Sequence, residues 1–171
     1  MGNLLFSPSG RVGPSEFMRG AMILIAISFV IGVLPLINYT IGSMFSLLGL
    51  VLIWCWIVLF IKRYHDGGKS GWMSLVPIIA FVILSLILSQ IVTSMFAGNI
   101  NAQLKEATEA AAESGDISSI FAITTELAPA IAKKTALPSA IGGAIVSYLI
   151  AMVFNNMIKS DDHENQFGPA T

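Results

Sequence analysis

Hydrophobic residues run through this chain in four long stretches, and short polar segments separate most of them. A helix needs about 20 apolar residues, within a range of roughly 17–25, to cross the hydrocarbon core of a bilayer. Four stretches meet that length, at residues 21–37, 41–61, 72–97 and 136–158. The fourth is the most polar because Asn155 and Asn156 lie near its end, so a buried or interfacial helix is the alternative there. The pattern predicts an all-α integral membrane protein with a bundle of four transmembrane helices.

Composition supports this interpretation. Hydrophobic residues form 55% of the 171 residues and charged residues only 11%, against roughly 25% charged in a typical globular domain. Mean hydropathy is +0.80. Such a chain has too little polar surface to be covered by water alone. The formal charge of -1 leaves no basic field for nucleic acid, and the single Cys55 excludes a disulfide scaffold.

Basic residues in the short connecting segments predict the orientation. With four spans, the N-terminal segment, the loop between the second and third spans and the tail at residues 159–171 share one side. These segments contain Arg11, Arg19, Lys62, Arg63, Lys69 and Lys159. Because short loops rich in Lys and Arg stay in the cytoplasm, both termini are expected to be cytoplasmic.

The stretch at residues 98–135 is then an extracytoplasmic helical insertion. Residues 101–114 are rich in Ala and Glu, which favours a polar helix. Gly115 is expected to break that helix and Asp116 to cap the next one, which would lie on the membrane surface. Pro129 should kink or end this second helix. An amphipathic connector and a lid that docks a partner are the two interpretations.

One row of small residues on the fourth stretch predicts close helix packing. Between helices in lipid there is no hydrophobic driving force, so association depends on close packing of small residues. The row has a spacing of four and consists of Ser139, Gly143, Ser147 and Ala151, with Asn155 extending it. Packing within one bundle is the favoured interpretation, and a homo-oligomeric seam is the alternative.

Three glycine-marked segments lie on the predicted cytoplasmic side. They read GRVGPSEF at residues 10–17, KRYHDGGKSGW at residues 62–72 and ENQFGP at residues 164–169. In this order the chain resembles the domain-of-unknown-function 805 family of small bacterial inner-membrane proteins, over residues 5–97 and 136–170. Lys62 replaces the Arg usual in that family, and residues 98–135 look like an insertion. The resemblance implies a bacterial inner (plasma) membrane location and supplies no activity.

The same segments hold the candidate site. Arg11 and Arg63 are complementary in charge to Glu16 and Asp66, so ion pairs would clamp the segments together. Alternatively, Lys62, Arg63 and Lys69 would contact anionic lipid headgroups, at about 1 kcal/mol for each basic residue. The full candidate set is Arg11, Glu16, Lys62, Arg63, His65, Asp66, Lys69, Trp72, Asn165, Phe167 and Gly168.

No reaction is indicated by these residues. His65 and Asp66 are adjacent, and adjacent residues do not face each other on a helix. The chain has no nucleophile spaced to complete a triad, and we expect no enzyme activity, cofactor or metal. The spans contain no charged residue of the kind that marks ion routes, and only Gln90, Asn155 and Asn156 offer a polar lining. A non-enzymatic envelope scaffold, or a component that binds lipid or a membrane-protein partner, is the preferred function. A small oligomeric transporter or channel is the alternative.

Overall fold

Helices dominate the computed structural model, which describes residues 2–171. Two single turns of 3-10 helix occur at Leu34–Leu36 and Gly71–Ser74. The α-helices are α1 (Gly2–Leu5), α2 (Pro14–Val33), α3 (Tyr39–Ser46), α4 (Leu48–Asp66), α5 (Leu75–Glu113) and α6 (Ile117–Met157). Within the described range, four helical stretches are long and apolar enough to cross a membrane. The predicted all-α fold with four membrane-spanning helices is therefore confirmed.

Most helix ends lie outside the apolar stretches that predicted them. Helix α2, which contains the first predicted span, begins at Pro14 rather than residue 21. Proline is favourable at the first helical position because its φ is preset and it lacks an N–H that would go unpaired there. The second stretch divides at Leu47 into α3 and α4, and α4 continues to Asp66. Hydrophobicity marks only the part of a helix that suits hydrocarbon, whereas the backbone helix continues into polar surroundings.

Residues 98–135 form the outer parts of two long helices. A kink at Ala97, where φ is -138°, separates the predicted span from the rest of α5. Gly115 has a positive φ of 71° and Asp116 caps α6 by accepting from the N–H of Ser119, so the predicted turn is present. The predicted separate surface helix is wrong, because α6 continues through Pro129 and Pro138.

The outer part of α6, residues 117–135, adds about 28 Å of helix beyond the predicted span, at roughly 1.5 Å per residue. Helices α5 and α6 form the most extensive helix pair of the fold. The insertion is therefore a projecting helical hairpin rather than a loop.

The tightest packing lies in the half of the bundle that contains both chain ends. There α2 packs against α4 and α6, and Phe60 is the centre of an aromatic cluster. Its ring centroid lies 5.1 Å from that of Phe17, 5.9 Å from Trp56 and 6.3 Å from Phe154. The first contact is tilted, the second stacked and the third edge-on, and such contacts are favourable beyond the apolar area they bury.

The predicted packing row on α6 is in close contact with other helices along only part of its length. Ser147 and Ala151 are buried, but a Cβ added at Gly143 would meet no atom within 4 Å. The neighbouring Gly142 makes the close approach instead, since a Cβ there would lie 2.8 Å from Leu88 of α5. A spacing of four drifts by about 40° per step on a helix of 3.6 residues per turn. The row therefore turns gradually along α6, from the partly exposed Ser139 and Gly143 to the buried Ser147 and Ala151.

Candidate functional site

The three glycine-marked segments meet at one end of the bundle, and together with the tail they form what we call the terminal cap, residues 10–17, 62–72 and 158–171. Two backbone hydrogen bonds tie its parts together. The N–H of Val12 donates to the carbonyl of Lys62 at 3.2 Å, and the N–H of Asp161 donates to the carbonyl of Asp66 at 2.8 Å. These two bonds therefore join segments that lie far apart in sequence.

Asp66 is the centre of the cap, and its side chain is fully buried. Its Oδ1 accepts from Nη2 of Arg11 at 3.1 Å and from Oγ1 of Thr171 at 2.6 Å. Its Oδ2 accepts from Nη1 of Arg63 at 2.7 Å and from Oγ of Ser160 at 2.6 Å. One carboxylate thus binds four side chains from three separate parts of the chain.

Arg63 connects this carboxylate to the end of α6. Its Nε donates to Oδ1 of Asn155 at 2.6 Å, and its Nη2 donates to the carbonyls of Asn155, at 3.0 Å, and Ile158. Carbonyls at a helix C-terminus have no partner within the helix and carry the negative end of its dipole. They therefore stabilise a buried guanidinium that shares its carboxylate with a second arginine.

Arg11 is that second arginine, and it holds the tail. Its Nη1 donates to the carbonyls of His163 at 2.8 Å and Gly168 at 3.3 Å, and its Nη2 donates to the carbonyl of Asp161. Within residues 2–171, acceptors of the protein itself engage all three nitrogens of both guanidinium groups. The geometry is that of a structural clamp, and it leaves Arg11 and Arg63 without a donor for a lipid phosphate.

The tail closes with a tight turn from Asn165 to Gly168. These two residues exchange backbone hydrogen bonds of 3.1 and 3.0 Å, and Gly168 has a φ of 134°, which favours glycine. The turn places the ring of Phe167 on that of His65, with centroids 3.7 Å apart and planes 3° from parallel. The amide of Asn165 donates to the carbonyl of His65 at 3.1 Å.

Four predicted site residues stay outside this network. Glu16 is exposed, and its carboxylate interacts with the buried Lys62. The predicted pairing of Glu16 with the arginines is therefore wrong. Lys69 is exposed, and Trp72 is 80% exposed at the edge of the cap.

Three other residues complete the clamp and were not predicted as part of it. Asn155 appeared only as the end of a packing row, although a carboxamide near the end of an apolar span is itself a signal that a polar partner exists. Ser160 and Thr171 gave no signal, because single hydroxyls in a polar tail are common. Gln90 and Asn156 are exposed and do not join Asn155 in a polar lining.

The electrostatics of the tail support its docking. The N–H of His163 and then the side chain of Asn165 hold the pKa of Asp161 below its usual range, because both donate to the charged carboxylate. Within the described residues, no three His, Cys, Asp or Glu side chains come close enough to hold a metal ion.

A hollow that we call the rim pocket lies beside the cap, with a volume of about 470 Å³. It is bounded by the end of α4, the 3-10 turn at Gly71–Ser74 and the tail turn. Its lining residues are Ile57, Ile61, His65, Ser70, Gly71, Trp72, Ser74, Leu75, Gln166 and Phe167.

A second hollow, the membrane cleft, lies between the apolar parts of the helices and has a volume of about 400 Å³. Most lining residues are apolar or small, and none is ionisable: Ile25, Ser28, Phe29, Ile31, Gly32, Ser46, Gly49, Leu52, Ile53, Trp56, Phe81, Ser139, Ala140, Gly143, Ala144 and Ser147. The hydroxyls of Ser46 and Ser147 donate to carbonyls of their own helices. A smaller apolar hollow of about 70 Å³ adjoins the cleft at Trp56 and Phe81.

Comparison with known proteins places the chain in a family without naming a relative. No curated protein and no solved structure matches it. A family model described as "Protein of unknown function (DUF805)" matches residues 5–169, which include the three glycine-marked segments and also residues 98–135. The match does not set the hairpin apart from the rest of the chain. The chain therefore belongs to the DUF805 family, as the motifs of the terminal cap predicted.

Proposed function

We propose that this multi-pass membrane protein is a non-enzymatic lipid-binding component of the bacterial inner membrane, with an acyl chain resident in its membrane cleft. The observation that carries the proposal is the cleft itself. It lies among the apolar parts of four helices that suit hydrocarbon, and α4 makes few contacts with α5 and α6 along its side. The surrounding bilayer therefore has lateral access to it.

The lining of the cleft favours a hydrocarbon occupant. An empty hollow of this size forfeits the dispersion contacts of all the atoms around it, and water is disfavoured where polar groups are few. The hydroxyls of Ser46 and Ser147 are already bonded to backbone carbonyls. A methylene chain restores the lost contacts without needing a hydrogen bond.

The same features speak against the alternative of a small oligomeric transporter or channel. Ion and proton routes are normally marked by charged side chains within the spans, and the cleft lining has none. An enzymatic function is not favoured either, because the buried carboxylate of Asp66 and both arginines are engaged in the clamp. For the orientation, the basic short loops support cytoplasmic termini.

The test is the lipid content of the purified full chain after gentle detergent extraction, measured by mass spectrometry. Gly143→Leu would place a side chain in the open space of the cleft. We expect wild-type protein to retain phospholipid and Gly143→Leu to retain less, by the amount that the cleft holds.

Gly98→Leu is the matched control, because a Cβ there also meets no atom within 4 Å but Gly98 lies outside the cleft. It should retain lipid as the wild type does. Equal lipid in all three proteins would contradict the proposal. Solute flux in liposomes that Gly143→Leu abolishes would instead support the transporter.

A further inference from the structure

The rim pocket joins two kinds of surface at the place where α4 changes from apolar to charged. One wall consists of Ile57 and Ile61 of α4 with Leu75 of α5, and the aromatic rings of Trp72 and Phe167 flank it. Tryptophan at the junction of an apolar helix and a basic loop is typical of headgroup depth in a bilayer. The pocket therefore faces hydrocarbon on one side and the polar cap on the other.

His65 gives this pocket a specific hydrogen-bonding group. Its Nδ1 lies 3.2 Å from the carbonyl oxygen of Gly10. Since a carbonyl can only accept, the proton of the neutral ring belongs on Nδ1, and Nε2 is then an acceptor. A Cβ at Gly71 would lie 3.1 Å from Nε2, so the lack of a side chain at Gly71 leaves Nε2 open to the pocket. Among the described residues, none donates to it.

Charge at the edge of the pocket selects for an anion. Lys69 precedes the lining residue Ser70 and is exposed. No carboxylate lines the pocket, so a cationic headgroup would find no counter-charge there. Both arginines of the cap are already engaged, which leaves Lys69 as the exposed basic residue of this loop.

We propose that the rim pocket binds an anionic phospholipid whose headgroup carries hydroxyl groups, as phosphatidylglycerol does. A headgroup hydroxyl donates to Nε2 of His65, the phosphate lies near the ammonium of Lys69, and the acyl chains follow Ile57, Ile61 and Leu75. This site is separate from the membrane cleft and does not depend on the acyl chain proposed there.

The test uses the full chain in nanodiscs containing equal amounts of phosphatidylglycerol, phosphatidic acid and phosphatidylcholine, followed by mass spectrometry of the lipids that remain bound. Phosphatidic acid has the phosphate without the hydroxyl-bearing headgroup. We expect phosphatidylglycerol to be retained about fivefold over phosphatidic acid, the effect of one hydrogen bond. Equal retention of these two lipids by the wild type would overturn the proposal.

Two histidine variants locate the effect. His65→Phe keeps a ring for stacking on Phe167 but removes Nε2, so the preference for phosphatidylglycerol over phosphatidic acid should fall to about one. His163→Phe is the matched control, because His163 lies on the same side of the molecule and its side chain is 93% exposed. An unchanged preference in His65→Phe would overturn the role of Nε2. If His65→Phe does not fold, the preference of the wild type still decides.

Further measurements distinguish a lipid from a soluble phosphate as the ligand, and the rim pocket from the membrane cleft as the site. Lys69→Ala should lower retention of both anionic lipids relative to phosphatidylcholine while keeping their ratio. Soluble glycerol 3-phosphate at millimolar concentration should displace nothing, and displacement would overturn the assignment to a lipid. Gly143→Leu, which fills the cleft, should leave the preference unchanged, so failure at one site is distinguishable from failure at the other.

Discussion

Removal of the carboxylate of Asp66 is the sharpest test of the clamp. Asp66→Ala takes away the acceptor for Arg11, Arg63, Ser160 and Thr171 at once. Both guanidinium groups have side chains only 1% exposed, so neither can turn to water without opening the cap. The variant leaves two buried positive charges without the carboxylate that both of them contact.

The size of the effect follows from this burial. Removing one partner of a buried ion pair costs about 3–5 kcal/mol, because the remaining charge is left without compensation. Arg63→Ala should cost less, about 2–3 kcal/mol, since Asp66 keeps Arg11 and two hydroxyl donors. The double variant should cost less than the sum of the two single variants, by about 1–3 kcal/mol of coupling.

The assay is reversible unfolding of the purified chain in mixed micelles, followed by circular dichroism. Lys105→Ala is the control: it breaks an exposed pair with Glu109, 3.8 Å apart, on the hairpin, and exposed pairs contribute little. Wild-type stability for Asp66→Ala, or strict additivity of Arg63→Ala and Asp66→Ala, would refute the clamp.

Three further predictions test the packing, the hairpin and the orientation. Gly42→Ala should lower the free energy of unfolding by about 1–3 kcal/mol, because a Cβ there would lie 2.7 Å from the backbone nitrogen of Pro35. Gly49→Ala is the control, since a Cβ there would meet no atom within 4 Å. It should be neutral or mildly stabilising in the same unfolding assay. Hydrogen bonds from the hydroxyls of Ser118 and Ser119, in that order of importance, lower the pKa of Asp116 to about 2. This pKa is below the unfolded value of about 3.9. The helix cap at Asp116 therefore stabilises α6 above pH 4, and that stabilisation is lost as the pH falls towards 2. Amide hydrogen exchange at residues 117–120 should report that loss, and Asp116→Ala should show fast exchange already at neutral pH. Reporters fused after Thr171 should read as cytoplasmic and those at Gly115 as extracytoplasmic; a cytoplasmic signal at Gly115 would overturn the orientation.

The architecture was largely predictable, because membrane-spanning helices can be recognised in a sequence by their length and hydropathy. The turn at Gly115 and Asp116 was predictable too, since a glycine and a helix cap act within a few residues of themselves. Helix ends were not: Pro14 starts α2 well before the apolar stretch, and α6 passes through Pro129. A helix continues wherever the helix propensity of its residues and packing against a neighbouring helix support it. The hydrophobicity of a segment measures neither its helix propensity nor its packing.

The candidate site was predictable as a set of segments but not as a network. Span counting alone brings residues 10–17, 62–72 and the tail to one side, and charge complementarity suggests that Arg11, Arg63 and Asp66 interact. Only the tertiary structure decides that Asn155 and Thr171 complete the clamp, that Glu16 does not, and that Gly143 borders a cleft while Gly142 packs. The sequence by itself determined that this is a membrane protein, because the hydropathy of each span is the sum over consecutive residues and needs no tertiary contact. Which side chains form hydrogen bonds or ion pairs depends on the distances between helices, and the sequence of a single segment does not specify those distances.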